Sequence, residues 1–474
     1  MGELSGNYRI EKDSLGKLRI HSSVYYGIHT ARALENFSID KSTVNLNLIY
    51  AMVTVKKAAA MAHKRLKEMD SKIADAIVEA CDKILDGHFD DEFRVNPYQG
   101  GAGTSTNMNV NEVVANIALE IIGEEKGRYD IIHPIGHVNL SQSTNDVYPT
   151  SLRIAAIKLI RKLSKSFAAL QETLQEKENE FADIIKLGRT QLMDAVPIMV
   201  GQEFGAYAKA IARDRWRIYK VEERLREMNI GGTAVGTGIN ASQKYIYIVT
   251  DYIQSLTGLG MARSDYPIDT TQNMDVFVEV SGLLKSAAVN FMKISNDLRL
   301  LNSGPKGGIG EIILPSVQAG SSIMPGKVNP VIPEMVAQVS MKIIANDSAI
   351  TTAAYSGQLQ LNAFGPLISH CLLESLELMD SVVNKFKDKC INNISVDVEK
   401  CNENLQNSTS LITAVVNYIG YDKAAEIAKK AMKEGKTIKK ALEDEELFSK
   451  EELENILNPY GVTSAGTPGK KGGN

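Results

Sequence analysis

The sequence predicts an all-α protein of three domains with a central bundle of long helices. Three observations lead there. No proline falls between Pro149 and Pro197, between Pro197 and Pro267, or between Pro267 and Pro305. An interior proline costs a helix about 3 kcal/mol, so these windows admit long uninterrupted helices. Two of the windows carry apolar residues at alternating spacings of three and four, and no series of period-two strands accompanies them. At roughly 150 residues per domain, 474 residues correspond to about three domains. The expected division is 1–145, 146–400 and 401–474.

The first long helix is expected from near Pro149. Ala156, Ile160, Leu163, Phe167, Leu170 and Leu174 form a heptad-like seam on it. Gly188 is read as its C-cap, with Gly188–Asp194 connecting it to the next helix. In the third window Phe277, Val280, Leu284, Ala287, Phe291, Ile294 and Leu298 repeat the spacing in more apolar surroundings, predicting a helix buried on several sides. Further apolar helices are expected over about Val331–Ile350 and Pro366–Phe386. Between them and the third window, five of the thirteen prolines fall in Pro305–Pro333 and six glycines in Gly304–Gly326, which predicts a long mobile loop. After Cys401 shorter amphipathic pieces predict a small helical domain, and Ser464–Asn474 reads as a disordered tail.

Composition narrows the function. Hydrophobic residues at 44% and charged residues at 23% describe an ordinary globular chain. A net charge of −4 gives no basic surface for nucleic acid. No apolar run approaches the ~20 residues that span a bilayer, and Met1–Arg19 lacks a signal-peptide core, so a cytoplasmic location is expected. Four scattered cysteines form no C-x-x-C pair and seven histidines no H-E-x-x-H, so no metal site is expected.

Four separated segments each place neutral donors beside a helix end. The first is Gly320-Ser321-Ser322-Ile323-Met324-Pro325-Gly326-Lys327-Val328-Asn329-Pro330. Asn329 suits an N-cap and Pro330 a first helical position, so the positive helix end and Lys327 would together attract a carboxylate. Ser321 and Ser322 lie in the same loop, and a serine there could act as a base only if its alkoxide were stabilised. The others are Gly100–Asn107, Ser141–Asp146 and Gly188–Asp194. Each alone reads more readily as capping or connection. Together, converging donors and one lysine suit a small anion with two carboxylates.

The Gly320–Pro330 loop resembles the signature G-S-S-x-M-P-x-K-x-N of the aspartase/fumarase superfamily. The other three segments resemble that family's remaining signature regions, in order, over about Tyr8 to Gly461. The resemblance implies an all-α homotetramer whose active sites take loops from three subunits, an anti elimination releasing fumarate, and no organic cofactor. It implies that Ser321 is the base that removes the proton beside a carboxylate, giving an aci-carboxylate dianion. Lys327 and Asn329 would hold one substrate carboxylate, with Ser322 beside them. Thr104, Ser143, Thr144 and Asn145 would surround the other carboxylate and the leaving group. Thr190 and Gln191 would lie near the substrate, and Glu334 would support the loop or tune its charge.

Tyr25–Phe37, with Ile28-His29-Thr30, resembles the aspartate ammonia-lyase branch, since fumarases tend to carry Ala-Gln-Thr there. Ser143-Thr144-Asn145, Asp194–Pro197 and Gly357–Asn362 point the same way. That branch implies L-aspartate, fumarate and ammonium as ligands. The alternative is a fumarate hydratase. A lyase of larger succinyl adducts and a non-catalytic scaffold stand further back. Three departures are noted: Gln191 where fumarases have histidine, Pro134-Ile135-Gly136-His137 in place of an Asn/Asp-rich stretch, and Gly365 where aspartases often have glutamate.

Overall fold

Long helices dominate the computed structural model, which describes residues 7–470. A hairpin of β1 (Tyr8–Asp13) and β2 (Gly16–His21) precedes α1 (Ile28–Asn36), α2 (Leu46–Leu66), α3 (Ser71–Leu85), α4 (Thr104–Ile121) and the 37-residue α5 (Thr144–Glu180). A second hairpin, β3 (Ile185–Thr190) and β4 (Met193–Met199), leads into α6 (Val200–Leu225). Then come β5 (Glu227–Met228), α7 (Gln243–Thr257), β6 (Ala262–Arg263), α8 (Pro267–Gln272) and α9 (Asp275–Leu301). β7 (Ile312–Ile313) lies in the loop before α10 (Val331–Tyr355) and α11 (Gly365–Lys389). β8 (Ser395–Val396) is followed by shorter helices, among them α12 (Val398–Gln406), α13 (Val416–Ile419), α14 (Tyr421–Glu434), α15 (Ile438–Asp444) and α16 (Lys450–Ile456). The all-α class holds.

Both apolar seams are buried as their spacing requires. Every seam residue from Ala156 to Leu174, and from Phe277 to Leu298, is at most 1% exposed. Contacts group the chain into two interleaved units. One comprises Met1–Lys165, Trp216–Ala288 and Ser340–Asp380; the other comprises Ser166–Arg215, Val289–Val339 and Ser381–Asn474. In the first, α2 packs on α3 and α7 around Met52, Val55, Ile77, Tyr245 and Val249. In the second, the rings of Phe167, Phe291 and Phe386 follow one another at 5.9 and 6.1 Å. The C-terminal helices of that unit close over Leu405, Val415, Ile427, Leu442 and Leu453.

Three local expectations are corrected. The first long helix ends at Glu180, not at Gly188, because Ile185–Met199 forms an antiparallel hairpin. Gly188 sits at its bulge, where a Cβ would lie 2.4 Å from Val196 O. The Pro305–Pro333 loop is pinned near its start, where Ile312–Ile313 pairs with Ser395–Val396 and Glu311 N–H bonds Leu301 O. The tail is held as far as Lys470: Tyr418 OH donates to Pro468 O at 2.6 Å, and Asn455 Nδ2 to Gly469 O at 3.0 Å. Residues 471–474, also expected to be disordered, lie outside the described residues.

Candidate active site

In the first unit the chain enters α4 through Gly101, Ala102 and Gly103, at φ of 80°, 54° and 95°. Left-handed backbone at an alanine is uncommon and marks a constrained turn. Gly103 must be glycine, since a Cβ would lie 2.3 Å from the Tyr148 ring on α5. That contact seats the turn on the start of α5. Thr104 is exposed at the head of α4, its hydroxyl donating to Gly101 O at 2.7 Å.

The start of α5 carries Ser143, Thr144 and Asn145. Ser143 Oγ accepts Asn145 N–H, and Asn145 Nδ2 donates to Ala234 O at 2.7 Å. Asp146, fully buried, accepts N–H bonds from Ser143, Gly231 and Thr233. Burial pushes its carboxyl up to about 6, against those three bonds. Asn107 Nδ2 donates to Thr144 Oγ1 at 3.1 Å, so the α4 and α5 segments meet directly. A cavity of ≈ 20 Å³ adjoins Asn145, Ala102 and Tyr148, and Gly365 lines it. That is room for about one water.

Beneath these residues lies Lys56, fully buried on α2. Its ammonium donates to Asn139 Oδ1 at 2.7 Å and Gln142 Oε1 at 3.0 Å, and burial pushes its pKa down to about 7. The sequence reading missed this lysine. The signal was available: Met52, Val55/Lys56, Ala59 and His63 recur on one face of an apolar helix, so Lys56 stands where a core residue is required.

In the second unit the signature loop closes on itself. Gly320 N–H donates to Lys327 O at 2.9 Å, and Asn329 Nδ2 to Gly320 O at 2.7 Å. A Cβ on Gly320 would lie 2.5 Å from Lys327 O. Asn329 thus clamps the loop, and α10 begins at Val331, after Pro330, so the expected N-cap role of Asn329 is not the one seen. Ser321 Oγ accepts backbone N–H bonds from Ile323 at 3.2 Å and Met324 at 2.9 Å. Both would strengthen onto an alkoxide, the form a serine base needs. Ser322 and Lys327 are exposed in the same loop. Glu334, on the first turn of α10, lies 3.8 Å from Arg299, with both side chains partly exposed.

Thr190 and Gln191 stand at the tip of the β3–β4 hairpin. Thr190 pairs with Met193, which leaves Gln191 and Leu192 as a two-residue turn at φ of 54° and 65°. Both positive values match a type I′ turn. Behind the tip, Arg189 makes a forked pair with the buried Glu311, which also meets Lys186 at 3.2 Å and Asn404 at 2.9 Å. Burial would raise the Glu311 carboxyl, but the Arg189 bonds and the Lys186 charge outweigh it and hold it below its usual range.

Comparison with known proteins matches residues 16–345 to a family model described as lyase, and residues 411–464 to one described as fumarase C C-terminus. The chain is 46% identical to an aspartate ammonia-lyase of Bacillus subtilis, over 98% of each chain. Among solved structures, a fumarate lyase:delta crystallin from Brucella melitensis bound to cobalt superposes with a TM-score of 0.93 and 46% identity, covering 96% of this chain and 99% of that one. A class II fumarase from Schistosoma mansoni gives 0.91 and 35% identity, covering 96% and 98%.

Proposed function

The chain belongs to this lyase family, and from that premise we propose that it is an aspartate ammonia-lyase, converting L-aspartate reversibly to fumarate and ammonia. The observation that carries the chemistry is Ser321, whose hydroxyl oxygen already accepts two backbone N–H bonds. Its alkoxide takes the proton from the β-carbon. The electron pair moves into the β-carboxylate, giving an aci-carboxylate dianion. Collapse of that dianion forms the C=C bond and expels the amino group as ammonia. The amine starts as ammonium, so no histidine acid is needed, which fits Gln191 at its position.

Lys327 and Asn329, with Ser322, hold one carboxylate, and Thr104, Ser143, Thr144 and Asn145 the other end of the substrate. Thr190 and Gln191 lie near it, and Glu334, paired with Arg299, supports the loop or tunes its charge. The choice of ammonia over water rests on full-length aspartate ammonia-lyase relatives at 43% to 46% identity, against 35% for the fumarase.

The assembly proposed is a homotetramer with active sites shared between subunits. It is supported by apolar side chains left open on the long helices, including Trp216 (63% exposed), Val289 (53%) and Met341 (55%). Residues 1–145, 146–400 and 401–474 are kept as its functional segments. A cytoplasmic location is kept too; among the described residues no helix is long and apolar enough to cross a membrane.

The test is fumarate absorbance from purified protein given L-aspartate and L-malate in parallel. Fumarate from aspartate alone is expected. Fumarate from malate alone would make the protein a fumarase.

A further inference from the structure

We infer that Asn107 is a positioning residue that turns the Thr144 hydroxyl outward as a hydrogen-bond donor, under a direction imposed by Asn139, whose oxygen faces the buried Lys56. The inference rests on the reading of Thr144 as a contact of the substrate carboxylate.

The argument is one of donors and acceptors. A backbone carbonyl can only accept. Asn139 Nδ2 donates to Gln142 O at 3.1 Å, and Gln142 Nε2 donates to Val138 O at 3.1 Å and to Leu140 O at 3.2 Å. Both amides therefore turn their oxygens to Lys56 Nζ, at 2.7 and 3.0 Å, whether it is ammonium or amine. Asn139 Oδ1 is therefore an acceptor on every side. Asn107 and Asn111 meet it with Nδ2, at 3.1 and 3.3 Å. The same Nδ2 of Asn107 donates to Thr144 Oγ1. A hydroxyl has one proton. With its oxygen receiving N–H from behind, Thr144 must aim its O–H away from Asn107, and among the described residues it meets no protein acceptor.

A second observation shows that the direction is imposed. Asn107 Oδ1 and Asn111 Oδ1 are buried without a donor. Turning Asn107 over would bring its oxygen against Asn139 Oδ1 and let Thr144 donate inward. The fold instead leaves a buried carbonyl oxygen unpartnered, an arrangement native proteins rarely keep without cause. The cause is a threonine held as a donor, the only role in which a neutral hydroxyl helps bind a carboxylate.

The test is a double-mutant cycle on the full-length enzyme with L-aspartate. Asn107→Asp keeps the shape but replaces the donor by acceptors, so Thr144 turns inward. Thr144→Val removes the hydroxyl. Each should raise KM about tenfold or more, the scale of one lost bond to a charged group. The double variant should be no worse than Thr144→Val alone. A rise in the double variant equal to the product of the two would make Asn107 merely structural and overturn the inference.

Neutron diffraction on the unaltered protein decides the same point without a variant. The deuteron on Thr144 Oγ1 should point away from Asn107, and one on Asn107 Nδ2 should point to Thr144. A Thr144 deuteron lying on the line to Asn107 would overturn it. If Thr144→Val left KM unchanged, the carboxylate role of Thr144 would fall, while the deuteron positions would still decide the orientation.

Discussion

Arg189 grips Glu311 through two hydrogen bonds of 2.8 and 2.9 Å, across 122 residues of sequence, and the carboxylate it holds is fully buried. One residue beyond Arg189 the hairpin presents Thr190. Beyond Glu311 the chain runs into the loop of Ser321. One ion pair therefore anchors both segments in a single unit.

Replacing Glu311 by Gln leaves Arg189 and Lys186 facing a neutral amide. Breaking a buried pair in this way costs about 3–5 kcal/mol. Because the folded state holds this carboxyl below its usual pKa, its stabilisation is full at neutral pH and fades as pH falls through the folded value. Urea unfolding should show a gap between native protein and Glu311→Gln that is widest near neutrality and narrows in acid. A gap that widened in acid would contradict the assignment.

Ser321→Ala removes the base and one small hydroxyl on a partly exposed loop. Elimination should fall by at least about 10²-fold, within the range for general-base catalysis, while the melting temperature stays close to native. Fumarate absorbance and a thermal scan read the two. Wild-type turnover in this variant would exclude Ser321 as the base.

Gln191 occupies the first turn position of a type I′ hairpin, where asparagine is better suited than glutamine. Gln191→Asn should leave thermal stability equal or slightly higher and yet lower kcat/KM for L-aspartate, because its amide reaches one carbon less far. Equal catalytic efficiency would remove Gln191 from the site.

Gly103→Ala places a Cβ at φ of 95° and 2.3 Å from the Tyr148 ring. Backbone strain alone costs about 1–3 kcal/mol. The melting temperature should drop, and KM for L-aspartate should rise as the Thr104 turn lifts from α5. A variant as stable and as active as the parent would show that the turn does not depend on this contact.

The seams of α5 and α9 were legible because spacing alone decides which helix face is buried. The β3–β4 hairpin was not, since Gly188–Met193 is short, mostly polar and carries no alternation, and its pairing depends on a bulge and a turn of unusual backbone. Glu311 was hidden for a different reason. It lies among glycines and prolines that read as free loop, and its partners come from β3 and α12. Lys56 was missed, although its register on α2 places it among core residues. Ser321, Lys327 and Asn329 were found through the signature, but only the geometry gives Asn329 its work, holding Gly320 rather than capping α10.

The pinch at Gly320 makes the signature loop modular. Both feet are bonded to each other, so the shape of residues 320–329 is set within the loop itself. The segment can therefore be exchanged as a cassette: a relative's loop of equal length, grafted between Gly320 and Asn329, should keep its own curvature. Such a graft needs the glycine and the asparagine at its feet to be retained, since their bonds set the closure.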